Sequence, residues 1–494
     1  MTLIQPTTER PIVRPEGSPG AGNSSASEPS ASEPSAAAAA LGGPDLEVRP
    51  SGASAKAPTT AGAQGASRQS LLERAVRGRL RLIFRGSLTL TAEGATEVFG
   101  TPLQSGASDM VLLPSGGVGS VDRDAHGTVE VHDDRFWSAL ALRGSVGAGE
   151  AYAYGWWTSP EPTDVVRVLV ANQRALDGME KGLARLSLPM LKAFHWLRDN
   201  TRAGSRKNIA AHYDLSNDFF GLFLDPTMTY SSAFYARRDD SLEDAQLAKI
   251  DRLCERLDLG PDDHLLEIGT GWGAFARRAA SRFGCRVTTT TISKEQHAFA
   301  VERIERAGLS DRVDVRLEDY RDLRGQFTKI VSVEMIEAVG ARHYGTFFET
   351  CARLLAPGGA LAMQAITIHD RHFDRARKAV DFIQRHIFPG SCIPSVTALS
   401  SAAASASDLR PVFMEDIGEH YVPTLRTWRD TLRERREEAL AMGFDEDFLR
   451  LFDFYFCYCE GGFAERHISV AHLVYAKEGR AFAPPVSASL APRG

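Results

Sequence analysis

The 494-residue sequence predicts an α/β protein: a Rossmann-like parallel sheet with helices on both faces, preceded by a smaller α/β or α+β domain and a disordered leader. Three observations predict it. Between residues 208 and 365, short apolar strands alternate with helical stretches of roughly 10 to 15 residues. The first of those strands runs into a glycine-rich turn, Glu267-Ile268-Gly269-Thr270-Gly271-Trp272-Gly273-Ala274. The first 68 residues hold nine of the 24 prolines and no aromatic residue, the first being Phe84.

Taken in order, residues 1–68 are rich in Ala, Ser, Pro and Gly, with a short repeat, SASEPSASEPSA, from Ser25. Such a segment cannot bury enough apolar surface to offset chain entropy and is read as disordered, as are residues 483–494. Residues 69–177 read as the smaller domain. RLRLIFRGSLTLTA from Arg79 opens with basic–apolar alternation and suits a strand, as does GTVEVHD from Gly127. Glycines Gly144, Gly147 and Gly149 punctuate apolar segments, and VVRVLVANQRAL from Val165 reads as a helix.

Residues 178–207 form a basic linker. Seven basic residues, Lys181 to Lys207, face Glu180 and Asp199, while Leu183, Leu186, Met190, Leu191, Phe194 and Leu197 recur at roughly helical spacing. The segment reads either as a helix lying on an anionic membrane or as an interdomain helix with a solvated basic face. In residues 208–482 the pattern is LAKIDRLCERLDL (helix), DHLLEIG (strand), AFARRAASRF (helix), CRVTTTTI (strand), EQHAFAVERIERAGL (helix), RVDVRLEDY, KIVSVEM and ALAMQAITI (strands).

Composition narrows the function. A net charge of -6 argues against a general nucleic-acid binder. Six cysteines show neither CxxC nor zinc spacing, so no metal centre and no disulfide framework are expected, and a cytoplasmic location is. No apolar run reaches ~18 residues, and no secretory h-region opens the chain.

The glycine turn alone fits two ligands. Gly269, Gly271 and Ala274 match a dinucleotide loop; Gly269, Gly271 and Gly273 match the ExGxGxG of a methyltransferase. Context favours the second. The next strand ends in Thr288-Thr289-Thr290-Thr291, without the acid that holds a nicotinamide-dinucleotide ribose. The third ends in Glu318 and Asp319, suited to an adenine amine, and Glu267 stands where a cationic amino-acid group would lie. The ligand expected is S-adenosylmethionine.

Beyond that turn, the chain resembles the cyclopropane fatty acid synthases, including the mycolic acid cyclopropane synthases. The resemblance rests on HYDLSNDFFGLFLDPTMTYSSAF from His212, LLEIGTGWG, TISKEQ, EDYRDL, VSVEMIEAVG, FIQRHIFPGSCIPS, HYVPTLRTW and CEGGFAE, in the family's order, and on GSVGAGEAYAYGWW from Gly144. It implies a class I methyltransferase fold with a helical acyl-binding cover. It also implies methyl transfer from S-adenosylmethionine to the double bond of an unsaturated phospholipid acyl chain. The matching cofactor positions are Tyr230, Ser231, Gly269, Gly271, Thr291, Gln296 and Asp319, with Glu267, Gly273 and Tyr320 beside them.

An alkene is a poor nucleophile, so positioning must supply much of the rate. Its methylation leaves a carbocation, and a base must then remove a proton. Family members resemble one another in holding a bicarbonate for this, gripped by a Glu, a His, a Tyr and backbone amides near a Cys. The Glu matches Glu337, the Tyr matches Tyr421, an amide matches Ile366, and a second family Cys matches Cys459. Two positions depart: Ser232 stands for the Cys, and Gln364 stands for the His, a Gln that plant-type members also carry. The product is therefore expected to be a cyclopropane, with a methyl- or methylene-branched chain as the alternative. An amine N-methyltransferase and a non-catalytic lipid-binding relative are the other readings. Tyr213 is expected to line the acyl pocket. The resemblance also implies peripheral association with the inner membrane face, an anionic surface as partner, and a homodimer.

Overall fold

The computed structural model describes residues 64–101, 109–112, 118–121, 125–176 and 216–479. The basic linker 178–207, the tail 483–494 and Tyr213 lie outside the described residues.

The chain enters through α1 (Gln64–Leu80), which starts inside the stretch expected to be leader. The Arg79–Leu82 alternation, expected in a strand, instead closes this helix and the turn after it. Val76 and Leu80, one helical turn apart, are both buried, and Arg77 pairs with Glu73 and Glu97. The strand begins only at Ser87. A four-stranded sheet follows, ordered β2-β1-β5-β6, from β1 (Ser87–Ala92), β2 (Ala95–Gly100), β5 (His126–Val131) and β6 (Trp157–Thr158). β1 and β5 are parallel, the other pairs antiparallel. A separate hairpin joins β3 (Asp109–Leu112) and β4 (Val118–Val121). α2 (Arg135–Ala153) bends at Gly144, whose φ of 55° and ψ of -128° interrupt the helix, and α3 (Pro162–Ala171) completes this part.

The second sheet has seven strands in the order β12-β13-β11-β10-β7-β8-β9. They are β7 (His264–Ile268), β8 (Arg286–Thr291), β9 (Val313–Leu317), β10 (Phe327–Val333), β11 (Leu355–Ile368), β12 (Arg410–Asp416) and β13 (Ile468–Ala476). Helix α4 (Leu242–Leu257) precedes β7, while α5 (Lys294–Arg306) and α6 (Tyr344–Leu354) belong to crossovers. Five strands are parallel as expected, but the sheet is mixed: β13 runs antiparallel to both β11 and β12. ISVAHLVYA of β13 is buried along seven of nine positions, so it lacks the alternation that marks a half-exposed strand. β12 carries Arg410, Glu415 and Asp416 at the sheet edge, where charge blunts pairing with another chain.

Two helices close the fold over the strand ends, α7 (Tyr421–Glu434) and α8 (Glu446–Ala464). α8 is nearly apolar all round because both its faces are covered. Phe452, Phe454 and Phe456 are core. Tyr455, Cys459 and Phe463, at spacings of four, also line a cavity. α8 also packs against α2 and α3. Tyr152 O–H donates to Asp453 at 2.7 Å, and Thr163 O–H to Glu460 at 3.0 Å. Arg429 of α7 bridges the part-exposed Glu161 and the buried Glu460, so the buried acid has a cationic partner.

Candidate active site

The loop after β7 turns three times through positive φ: 101° at Gly269, 52° at Gly271 and 81° at Gly273. At Gly273 a Cβ would also stand 3.2 Å from the Ala300 side chain on α5, which only glycine avoids without displacement. Gly269 and Gly271 face a cavity of about 490 Å³; Gly273 does not, and shapes the turn from behind. Glu267, 3% exposed, accepts the Thr289 O–H at 2.6 Å. Burial pushes its carboxyl up to about 8, against that single hydrogen bond.

At the next strand end, the Thr291 hydroxyl donates to Gln296 Oε1 at 2.9 Å, and Ser293 Oγ accepts the Gln296 N–H at 3.2 Å. This N-cap explains why TISKEQ starts α5 where it does. After β9, Asp319 is buried and accepts three bonds from Arg321: backbone N–H at 3.0 Å, Nε at 2.9 Å and Nη2 at 2.6 Å. Tyr320 packs edge-on against Phe347. Tyr230 and Ser231 reach the same cavity from the segment before α4. Tyr230 O–H and Tyr455 O–H lie 2.9 Å apart, and Ser231 Oγ accepts the buried Lys249 ammonium at 2.6 Å. The open backbone at Gly269 and Gly271, the buried Glu267 and the acidic end at Asp319 fit S-adenosylmethionine.

The chemistry-bearing groups converge a few residues further along. Glu337, in the short helix after β10, accepts the Ile366 N–H at 2.5 Å, the amide expected at this point. Its Oε2 is buried with no hydrogen-bond partner among the described residues. Burial, and the charge of neighbouring Glu334, raise its carboxyl well above the ordinary range. Tyr421, at the start of α7, and Cys459, on α8, both line the cavity. Burial pushes the Cys459 thiol far up, so it stays protonated.

Ser232 and Gln364 do not line the cavity. Both point at Glu334, which the sequence analysis left unassigned although it stands in VSVEMIEAVG. Glu334 Oε1 accepts the Ser232 backbone N–H at 2.9 Å and Gln364 Nε2–H at 2.7 Å, and Oε2 accepts the Tyr421 O–H at 2.9 Å. These are three of the donors expected to grip a bicarbonate; the fourth, the Ile366 amide, is taken by Glu337. A bicarbonate set among them would meet a carboxylate rather than N–H and O–H groups, so the residues do not fit this anion. That expectation is corrected, and Ser232 and Gln364 become positioning residues.

Elsewhere the cavity is apolar, lined by Ile383, Phe388, Leu425, Tyr455 and Phe463, and Ser145, Val170 and Gln173 reach it from the N-terminal part. His420 is structural: Nδ1 accepts the Tyr235 N–H at 3.1 Å, and burial pushes the imidazole down to about 4. Among the described residues no cluster of three or more His, Cys, Asp or Glu could hold a metal ion, and no helix is long and apolar enough to cross a membrane.

Comparison with known proteins gives a consistent picture. The family described as mycolic acid cyclopropane synthetase matches residues 200–473. The chain is 39% identical over 363 residues to the tuberculostearic acid methyltransferase UfaA1 of Mycobacterium tuberculosis, spanning 69% of this chain and 82% of that protein. It is 35% identical over 377 residues to the cyclopropane-fatty-acyl-phospholipid synthase of Escherichia coli, spanning 74% and 92%. Among solved structures, the cyclopropane synthase MmaA2 from M. tuberculosis superposes with a TM-score of 0.51 at 32% identity, over 55% of this chain and 98% of that one. The mycolic acid cyclopropane synthase CmaA1 complexed with SAH and CTAB gives the same values. A coclaurine N-methyltransferase, 18% identical with a TM-score of 0.50, shares the fold alone, over 67% of this chain and 98% of that one.

Proposed function

Because the chain belongs to the mycolic acid cyclopropane synthetase family, as an S-adenosylmethionine-dependent methyltransferase acting on lipid acyl chains, we propose that its acceptor is the double bond of an unsaturated phospholipid acyl chain and its product a cyclopropane. One observation carries this reading. A single cavity holds the glycine loop, the paired carboxyls Glu334 and Glu337, and an apolar wall of Ile383, Phe388, Leu425 and Phe463. The apolar wall suits a hydrocarbon chain, which gains by leaving water.

The bound cofactor supplies an electrophilic sulfonium methyl. The chain's own residues do the rest. Glu267 and Asp319 offer carboxyl oxygens to the cofactor's cationic and amine groups. The apolar wall orients the alkene and excludes water, which would otherwise trap the cation. The carboxyl pair of Glu334 and Glu337 lies at the end of the cavity where the proton must be accepted. A second reading, a methyl- or methylene-branched chain, is favoured by Gln364, which replaces an ionisable imidazole with a neutral amide.

The acyl chain must leave its bilayer to enter this cavity, so docking on the inner, anionic membrane face belongs to the proposal. The charge offered for it is that of the basic residues in the sequence 178–207 and of Arg74, Arg79 and Arg81 in the N-terminal part.

The test is mass spectrometry of fatty acyl esters from a host rich in cis-monounsaturated phospholipid, with and without the protein. A one-carbon gain with the olefin lost is expected. The same gain with the olefin retained would replace the cyclopropane by a methylene-branched product. No gain, with S-adenosylmethionine binding to the purified protein intact, would sink the lipid reading.

A further inference from the structure

The mismatch between the catalytic end of the cavity and a bicarbonate has a consequence for the reaction. Glu334 follows the last residue of β10 with φ at +47°, in the left-handed region that side-chain-bearing residues rarely adopt. Its own N–H donates to Gln364 O at 2.8 Å. The backbone is thus pinned in a rare conformation, and the carboxylate is set among Ser232 N–H, Gln364 Nε2–H and Tyr421 O–H. Rare conformations of this kind persist where the surroundings over-determine them, and they cluster at functional sites. Glu334 faces the cavity; Ser232 and Gln364 stand behind it.

Two carboxyls close together do not both ionise readily. Their surroundings decide which one carries the charge. Burial raises the Glu334 carboxyl too, but it accepts three hydrogen bonds, and the Lys249 ammonium, held by Ser231 Oγ and Ser232 O, opposes that rise by favouring its charged form. Among the described residues Glu337 accepts the Ile366 amide on one oxygen, leaves Oε2 without a partner, and lies beside the Glu334 charge. Glu334 therefore holds the negative charge and Glu337 the proton.

We propose that the carboxylate of Glu334, in the place of a bound bicarbonate, is the catalytic base that accepts the proton lost by the acyl chain after methyl transfer. This rests on the alkene-methylation reading above. Methyl transfer uses the π electrons of the double bond and leaves a cation on the neighbouring carbon. Glu334 takes a proton from the transferred methyl group. The C–H electron pair forms the third ring bond, and the carboxylic acid produced releases its proton to water before the next turnover. If a hydride first shifts from the methyl-bearing carbon to the cationic one, loss of the same methyl proton leaves its electron pair as a C=CH2 bond, and the product is a methylene branch. The base is covalently part of the chain, so no dissolved anion is consumed or required.

The test uses the full chain with a cis-monounsaturated phospholipid, in buffer stripped of carbonate and in the same buffer with bicarbonate added. Wild-type turnover is expected to agree in the two buffers within about twofold, and Glu334→Gln to lose on the order of 10²- to 10⁴-fold with cofactor binding retained. Glu334→Gly, which removes the carboxylate from among its donors, is expected to regain turnover when bicarbonate is added. A wild-type rate that rises about tenfold or more with bicarbonate overturns the inference, and this comparison needs no variant to fold. Glu334→Gln turning over within about threefold of wild type also overturns it, since a base is worth far more than that. A wild type that methylates no unsaturated lipid in either buffer overturns the reaction reading, and the inference with it.

Discussion

Gln364 and His472 are register partners across β11 and β13, and His472 Nε2–H donates to Gln364 Oε1 at 2.8 Å. Burial pushes the His472 imidazole down to about 3, so the ring is neutral near pH 7. Its proton sits on the nitrogen that meets the amide oxygen, because the opposite tautomer would set acceptor against acceptor. The bond decides which way Gln364 faces: with Oε1 engaged by His472, Nε2 is left to donate to Glu334 and to Ser232 O.

Replacing His472 with Leu leaves a buried amide oxygen without its donor. Urea unfolding is expected to show a loss of ~1–3 kcal/mol. Turnover is expected to fall more than cofactor affinity, because the amide no longer holds Glu334. Unchanged stability and turnover together would show that His472 does not orient the amide.

Tyr421 O–H is one of three donors to Glu334, and burial beside that carboxylate keeps the phenol protonated. Tyr421→Phe keeps the ring against Trp428 and Phe463 but removes the hydroxyl. A hydrogen bond to a charged group is worth ~1.5–3 kcal/mol, so turnover is expected to fall roughly 10- to 100-fold. Steady-state kinetics with a cofactor titration would read it; equal losses in turnover and cofactor binding would point to general damage instead.

The Glu267 carboxyl is pushed up to about 8 by burial, from ~4.3 in an unfolded chain. Between those values the folded protein keeps a proton that the unfolded chain has released, so this group makes stability fall as pH rises. Glu267→Gln does not titrate and still offers an oxygen to the Thr289 hydroxyl. Its urea-unfolding stability should drop less than wild type between pH 5.5 and pH 8. A parallel drop in both proteins would show that Glu267 is already ionised at pH 5.5.

Gly149 of α2 sits where a Cβ would stand 2.3 Å from the Phe382 ring and 2.9 Å from Phe454 of α8. Gly149→Ala forces this packing apart and is expected to cost ~1–3 kcal/mol in chemical denaturation. Because α8 also lines the cavity, KM for the lipid should rise more than KM for S-adenosylmethionine. A stable variant with normal kinetics would show that the N-terminal part does not brace the acyl wall.

Much of the fold was readable because strand and helix periods differ. DHLLEIG, CRVTTTTI, RVDVRLEDY and KIVSVEM all appear as parallel strands where the alternation placed them. β13 was not seen because a strand buried on both faces shows no period of two. RLRL misled because alternation over four residues cannot be told from one turn of a helix. The cofactor positions were legible because glycines, capping residues and strand-end acids act locally: Gly269, Thr291 and Asp319 stand at the ends of β7, β8 and β9, and Gln296 in the first turn of α5. The phenylalanines of α8 were not separable into core and cavity wall until the neighbours on each side of that helix were known.

Chain order and residue type alone were enough for the fold class, the cofactor loop and the family, since each is written in short segments whose chemistry is local. They could not assign Glu334. Its carboxylate is defined by Ser232, Gln364 and Tyr421, which lie 102, 30 and 87 residues away along the chain. Whether those donors hold a bound anion or a side chain depends on where β10, β11 and α7 end in space. Hydrogen bonds saturate, so once Glu334 occupies the donors nothing else can, and only the folded chain determines which acceptor arrives first.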